Sequence, residues 1–421
     1  MISWVIKKLL SNRYIYNVAR NAHSAISNGN SSVNTDIPEI TPFSLTQSNI
    51  KNSRINLLVP ALSEHHVFGG IATALRFFEE LVSHYSLARI IVTDETSIQL
   101  KDGQFYSKWH VQEIGAPDLP INSIVVAGNR VGQNLDISEN DYFVATAWWT
   151  AFNCFKILSW QENKYQLDDR KLVYFVQDFE PGFYSWSTRY ALSESTYRKS
   201  RKTIPIFNTK LLYDFFLQQG YEFKSSFYFD PLLNPVINNF KDSLKDVKKE
   251  KQILIYGRPS VARNLFELIV QSLSYWAGKD EKSSEWKVLS VGEYHDPIEF
   301  ASGVKIESVG KLSLEEYAML LAKSSVGISL MLSPHPSYPP LEMSMFGMKV
   351  ITNTYANKDL RKLVSNVSCP SSLDPEDIGE EIQKCCREYM VSSGDNKNEV
   401  FSDSKIEFPF IIKLVSEMGG F

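Results

Sequence analysis

The sequence predicts an α/β protein built in two halves, each a parallel sheet with helices on its faces. Three observations carry that prediction. Short apolar runs alternate with helical stretches from Ile55 to about Gln219. A second alternation begins at Ile253. Between them, the polar and charged run 236–251 (VINNFKDSLKDVKKEK) breaks the pattern and reads as an interdomain connection. Strands buried on both faces appear as short continuous apolar segments, and the helices between them supply the crossovers that parallel pairing requires.

In the first half, Ile55–Val59 reads as a strand, followed by a loop ending in Gly69-Gly70 and a helix to about His84. Strands follow at Arg89–Thr93, Ser123–Ala127 and Asp141–Thr146, then a helix over Trp148–Trp160. Leu172–Val176 and Ile204–Asn208 are the next strands, with a helix over Thr209–Gln219 behind them. In the second half, Ile253–Tyr256, Lys287–Val291 and Val304–Ser308 read as strands, with helices from about Ala262, over Leu314–Lys323 and over Pro375–Met390. The apolar run Val326–Leu332 reads as a buried strand that stops at a Pro-rich loop holding Tyr338. A helix is expected to start at Pro339-Pro340, carry Glu342 in its first turn and end at Gly347, before Lys349–Thr352 resumes a strand. The expected domains are 54–240 and 241–400, two Rossmann-like α/β/α units facing a central cleft. Residues 1–53 precede them as a basic helix and a Ser-, Asn- and Pro-rich linker, and 401–421 return to the first domain.

At 421 residues the chain is long enough for two separate cores. A formal net charge of −4 argues against a nucleic-acid partner, which usually calls for a basic excess. Four cysteines without CxxC spacing give no metal pattern and fit a cytoplasmic protein. No stretch has the length of a membrane-spanning helix. The first 35 residues carry Lys7, Lys8, Arg13 and Arg20 and no acid before Asp36. This start fits a basic interfacial helix on anionic lipid, and equally a helix docked on the domain.

Four places carry chemistry. At Tyr256-Gly257-Arg258-Pro259, followed by Arg263-Asn264, a strand ends at a glycine and two guanidinium groups follow five residues apart. Planar guanidinium forks suit a diphosphate, and strand carboxyl ends are where α/β sheets bind ligands. Lys311, after Gly310 at another strand end, adds a third cation. Gly69-Gly70 permits close backbone approach at a helix N-terminus, but the spacing is neither G-x-G-x-x-G nor a P-loop, so a dehydrogenase or ATPase loses its main support. Asp178 and Glu180 follow a strand end, placed either to orient an acceptor hydroxyl or to cap local backbone. Around Tyr338, Pro339 and Glu342, proline suits a first helical turn, whose free N–H groups and dipole favour an anion. A carboxylate beside that anion accepts from sugar hydroxyls. His65 and His66 read as solvated loop residues, and Trp148-Trp149 as helix packing.

Together VQDFEP, YGRPSVARNLFEL, GKLSLEEYAMLLAKSSVGISLMLSPHPSYPPLEMSMFG and the Gly-Gly loop resemble the rhamnosyltransferases of bacterial surface-glycan assembly, of the S-layer glycan type that uses dTDP-L-rhamnose. The resemblance extends over most of residues 55–400. It implies the GT-B fold, a retaining reaction without metal or cofactor, and a dTDP-L-rhamnose donor. Arg258, Arg263 and Lys311 would hold the diphosphate, with Gly69 and Gly70 facing it across the cleft. Tyr338, Pro339 and Glu342 would lie at the nucleoside, and Asp178 at the transferred sugar or acceptor. Asp178 and Glu342 are therefore the expected catalytic residues. Many retaining GT-B enzymes carry two glutamates eight positions apart; here the earlier position is Pro334, so that role does not transfer. The implied partners are a nucleotide sugar and a lipid-linked glycan acceptor, with peripheral membrane contact through residues 1–35 and a homodimer as further expectations. The alternatives are a GT-B transferase using a UDP- or GDP-sugar, and a non-catalytic nucleotide-sugar-binding protein of a glycan assembly complex.

Overall fold

Apolar runs too short for helices fold as strands buried on both faces, and they assemble into two separate sheets. The computed structural model describes residues 35–63, 69–230, 235–391 and 407–419. The basic segment before them, His65 and His66 lie outside the described residues. Residues 42–421 form one compact unit, and Pro38–Ile40 in the other unit is a single 3-10 turn.

The strands of the first half are β1 (Ser44–Gln47), β2 (Arg54–Val59), β3 (Leu87–Val92), β4 (His110–Glu113), β5 (Ser123–Val126), β6 (Asn134–Ile137), β7 (Asp141–Ala145), β8 (Leu172–Val176), β9 (Thr203–Phe207) and β10 (Phe227–Tyr228). Among the described residues, eight of them pair in the order β10-β9-β8-β7-β2-β3-β5-β4, every neighbour parallel. The chain leaves β2 in one direction and later resumes at β7 in the other, so the strand order reverses between them, where Leu58 lies opposite Ala145.

In the second half β11 (Gln252–Gly257), β12 (Lys287–Gly292), β13 (Ile298–Glu299), β14 (Lys305–Gly310), β15 (Val326–Ile328), β16 (Lys349–Ile351) and β17 (Val367–Ser368) form the order β13-β14-β12-β11-β15-β16-β17. All neighbours are parallel except β13 on β14. Here the order reverses between β11 and β15. In open α/β sheets such reversal points open a crevice at the strand carboxyl ends, where ligands bind.

Helices cover each sheet because their apolar residues recur on one face. In α1 (Gly70–Val82), Ala74, Phe77, Phe78 and Leu81 are fully buried against the first sheet. The opposite face of that sheet is covered by α2 (Trp148–Tyr165) through Cys154, Phe155, Ile157 and Leu158. The remaining helices are α3 (Thr188–Tyr197), α4 (Lys210–Gln218), α5 (Pro235–Ser243), α6 (Phe266–Lys279), α7 (Leu314–Lys323), α8 (Tyr338–Met345), α9 (Pro375–Val391) and α10 (Ile411–Glu417). A reciprocal cap starts α7: Glu316 N–H donates to Ser313 Oγ at 3.2 Å, and Ser313 N–H donates to Glu316 Oε2 at 2.9 Å. The C-terminal segment packs in the first core, with Phe408, Leu414 and Met418 beside Phe77 and Phe229.

Several segments differ from the sequence reading. Ser44–Gln47, inside the stretch read as linker, pairs in parallel with β6. Leu45 is its one apolar residue and its ends are exposed, so nothing local marks a strand. Half of the expected connection 236–251 is α5, whose Ile237 is 2% exposed within the second core. A single buried side chain leaves no legible periodicity. The strand expected over Val326–Leu332 ends at Ile328; the chain then leaves the sheet, and Leu332 N–H bonds Arg263 O at 2.8 Å. That departure turns the following loop into the cleft.

At the opposite end of the first sheet, Arg54 and Arg89 are buried with Asp141. Arg54 Nε donates to Asp141 Oδ1 at 2.6 Å, and Arg54 Nη1 donates to Asp118 at 2.6 Å. Burial pushes the Arg89 guanidinium down to about 10, helped by the charge of Arg54. Asp141 offsets both charges, and its carboxyl stays below the ordinary range despite its own burial.

Candidate active site

The two reversal points face one another across a cleft of about 720 Å³ lined from both halves. Each wall is made of loops leaving strand carboxyl ends, where backbone groups are free of the ladders.

On the first wall, Gly69 has φ 45° and precedes α1 without a side-chain cap, which leaves the first N–H groups of that helix directed at the cleft. A Cβ on Gly70 would stand 1.4 Å from Oε1 of Gln177, so close approach fixes glycine there. Arg76, nearly two turns further along, donates to Glu407 at 3.0 and 2.9 Å, and both line the cleft.

The second wall holds the cations. Arg263 follows β11 and is half-buried, and burial lowers its pKa. Its guanidinium lies 4.0 Å over the Phe183 ring, its Nε is 3.8 Å from Asp178 Oδ2, and that Nε makes no hydrogen bond. This is a half-buried cation whose Nε lacks an acceptor. Arg258 lines the same space and lies 3.6 Å from Glu293. Lys311 stands at the carboxyl end of β14, exposed and outside the cleft lining.

Asp178 is 7% exposed and joins the two halves. Oδ1 accepts from Phe179 N–H at 2.8 Å and from the Ser333 hydroxyl of the second half, while Oδ2 faces Arg263. Placing Asp178 on the acceptor side alone is therefore incomplete, because its contacts include a residue read as a diphosphate ligand. Glu180 accepts from Trp148 N–H at 2.6 Å and so caps α2. Burial pushes its carboxyl up to about 8, against that hydrogen bond and with the charge of Asp178 adding to the rise.

Helix α8 begins at Tyr338, one residue earlier than the sequence reading, and this moves Glu342 into the second turn. Pro339 and Pro340 carry no N–H, so the terminus offers fewer amide donors to an anion than a first turn ordinarily does. Ser337 enters the helix at φ 70°, a left-handed conformation that costs a serine about 1 kcal/mol or more. Tyr338 lies near Thr73 and Asn208 of the first half, which makes it a second link across the cleft. Glu342 accepts from Tyr317 Oη at 3.0 Å, and burial pushes its carboxyl up to about 7.

Two lining residues were assigned no such part by the sequence. Trp149 was read as packing; its indole N–H is buried at the cleft without a hydrogen-bond partner. Buried His335 takes Ser337 N–H on Nδ1 at 3.0 Å, and burial lowers its pKa to about 4, which keeps it neutral. His335 lies within the quoted motif around Tyr338 but was given no role there, and only the folded loops bring both residues to the cleft. Among the described residues, no group of three or more His, Cys, Asp or Glu side chains is placed to hold a metal ion. Likewise no described helix is long and apolar enough to cross a membrane.

Two Rossmann-like units with facing reversal points, and arginines in the cleft between them, are the GT-B fold of nucleotide-sugar glycosyltransferases. Solved structures share it. Sucrose-phosphate synthase of Thermosynechococcus elongatus superposes with a TM-score of 0.52 at 12% identity, covering 87% of this chain and 98% of that one. Anabaena HepE, solved in complex with UDP and glucose, gives 0.51 at 12% identity over 86% and 98%. WaaG, a glycosyltransferase involved in lipopolysaccharide biosynthesis, gives 0.50 at 11% over 87% and 100%. At these identities the likeness is one of fold. By sequence, residues 54–210 match the WsaF N-terminal domain and residues 251–383 the WsaF C-terminal domain, and the chain belongs to that family. It is also 28% identical over 300 residues to the O-antigen biosynthesis protein RfbC of Myxococcus xanthus, a match covering 70% of this chain. That match spans only 21% of RfbC, about a fifth of its length.

Proposed function

We propose that this protein is a metal-independent glycosyltransferase that moves L-rhamnose from dTDP-L-rhamnose to a hydroxyl of a growing surface glycan, with retention. The observation that carries the reading is Arg263: a half-buried guanidinium beside Arg258, at a strand-order reversal, with its buried Nε unbonded. A donor diphosphate supplies the acceptors it lacks. Membership of the WsaF family and the O-antigen relative support a surface-glycan role.

In this reading Arg258 and Arg263 hold the diphosphate, the N-terminus of α1 faces it across the cleft, and Lys311 adds charge at the approach. Glu342 keeps Oε1 for a hydroxyl of the nucleoside sugar, since Oε2 takes Tyr317. Asp178 and the Trp149 N–H face the transferred sugar. The bond from the anomeric carbon to the diphosphate oxygen breaks as a bond to the acceptor oxygen forms on the same face. The acceptor proton passes to the departing diphosphate oxygen. The protein's contribution is electrostatic: fixed cations and amide dipoles stabilise charge that develops on the diphosphate.

The test is calorimetry with dTDP-L-rhamnose, UDP-glucose and GDP-mannose, followed by transfer assays. Selective binding of the dTDP donor is expected. Tighter binding of a UDP- or GDP-sugar would replace the donor, and binding of none would remove the transferase reading.

A further inference from the structure

Beside the cleft lies a second concavity of about 860 Å³ that the reaction described above does not use. Its most prominent residue is Trp186, which is 91% exposed. An indole in water contributes nothing to the core, yet this one is held in place: its ring stacks on Tyr190 at 5.2 Å with 27° between planes. The Ser187 hydroxyl between them accepts from Tyr190 N–H at 3.3 Å and caps α3. Tyr221 lines the concavity from the first half and Tyr355 from the second. Polar groups are interleaved with these rings. Glu194 accepts from Arg198 Nε at 2.6 Å and from Tyr221 Oη at 2.8 Å, and the Arg198 guanidinium lies 4.4 Å over the Tyr221 ring.

Aromatic faces set among fixed hydrogen-bonding groups match a sugar ring, which presents C–H groups on its faces and hydroxyls at its edge. Aromatic faces are electron-rich and attract the positive edge of C–H bonds. Position supplies the second argument. One loop serves both sites: Gln177, Asp178, Glu180 and Phe183 line the cleft, while Phe179 and Trp186 line the concavity. Trp186 follows Phe183 by three positions, a backbone span of at most about 11 Å. A glycan with its terminal hydroxyl near Asp178 therefore lays its preceding rings across Trp186.

We propose that the concavity at Trp186, Tyr190, Tyr221 and Tyr355 is the subsite for internal residues of the acceptor glycan, so that this protein recognises a chain and not only its terminal sugar. The assignment rests on the glycosyltransferase reading, and its test is a binding measurement without donor. Tetrasaccharides of L-rhamnose, D-mannose and D-glucose, with the matching methyl glycosides, are titrated into wild-type, Trp186→Ala and Trp186→Phe protein. Wild type is expected to bind one tetrasaccharide roughly tenfold or more tighter than its methyl glycoside. Trp186→Ala should lose that advantage and Trp186→Phe keep most of it, while dTDP affinity stays unchanged in both. Trp186 is too exposed for its truncation to disturb the core. A tetrasaccharide advantage that survives in Trp186→Ala, or none in wild type, overturns the subsite. An advantage confined to mannose or glucose, lost in Trp186→Ala, keeps the subsite and makes the acceptor a chain of that sugar instead of rhamnose.

Discussion

Replacing Glu342 by glutamine is expected to make the protein more stable and a poorer nucleotide binder. Glu342 is 8% exposed, with Tyr317 Oη as its hydrogen-bond donor, and ionises at about 7 instead of 4.5. Ionising it in place therefore costs about 3 kcal/mol, at roughly 1.4 kcal/mol per pH unit. The folded pKa lies above the unfolded one, so across the interval between them the folded protein holds a proton that the unfolded chain has released. Wild-type stability consequently falls as pH rises through that interval, and the penalty is complete above the folded value. Glutamine has the same shape, still accepts from Tyr317 and never ionises. Allowing about 1 kcal/mol for the weaker hydrogen bond, Glu342→Gln should be stabilised by roughly 2 kcal/mol at about pH 8 and gain nothing at about pH 5. Urea denaturation at the two pH values reads the difference. Calorimetry with dTDP should show a loss of about 1.5–3 kcal/mol, the usual worth of a hydrogen bond to a charged group. A variant destabilised equally at both pH values would refute the buried-carboxylate argument. Unchanged dTDP affinity would move Glu342 out of the nucleotide site.

The other expectations concern the cleft and the buried arginine pair. In Asp178→Asn, transfer should fall at least about tenfold, near 1.4 kcal/mol in the barrier, while dTDP binds as well or better because Arg263 loses a competing carboxylate; equal loss of both would reduce Asp178 to a holder of Arg263. Asp141→Asn leaves two buried guanidinium groups with Asp118 as their one shared anion and should lower unfolding free energy by roughly 3 kcal/mol. Because the folded Asp141 carboxyl is held below its unfolded value, its contribution is present at neutral pH and disappears as pH falls through the folded value. A mutant as stable as wild type in urea at neutral pH would contradict this. Transfer should survive EDTA, and a loss that Mg²⁺ or Mn²⁺ restores would make Asp178 and Glu180 metal ligands.

Elements with strong local signals were legible from the residues. Leu314–Lys323 was read with the bounds it adopts, because Ser313 and Glu316 cap it and buried Ala318, Leu321 and Ala322 recur at helical spacing. The central strands were legible for a similar reason: buried on both faces, they stand out as unbroken apolar runs. Edge strands were not. His110–Glu113 is largely exposed, and only its pairing with β5 makes it a strand.

The sequence by itself determined the two α/β alternations, the glycines before α1 and the arginines after β11, since composition and spacing act locally. Tertiary structure alone decided which of these residues meet. It set Asp178 against Ser333 and Arg263 from the other half, and left Lys311 exposed at the end of β14. It also made Glu342 a carboxyl that ionises near neutrality and turned Trp149 from packing into a donor at the cleft. Such properties depend on burial and on partners distant in the chain, and no local pattern of residues encodes either.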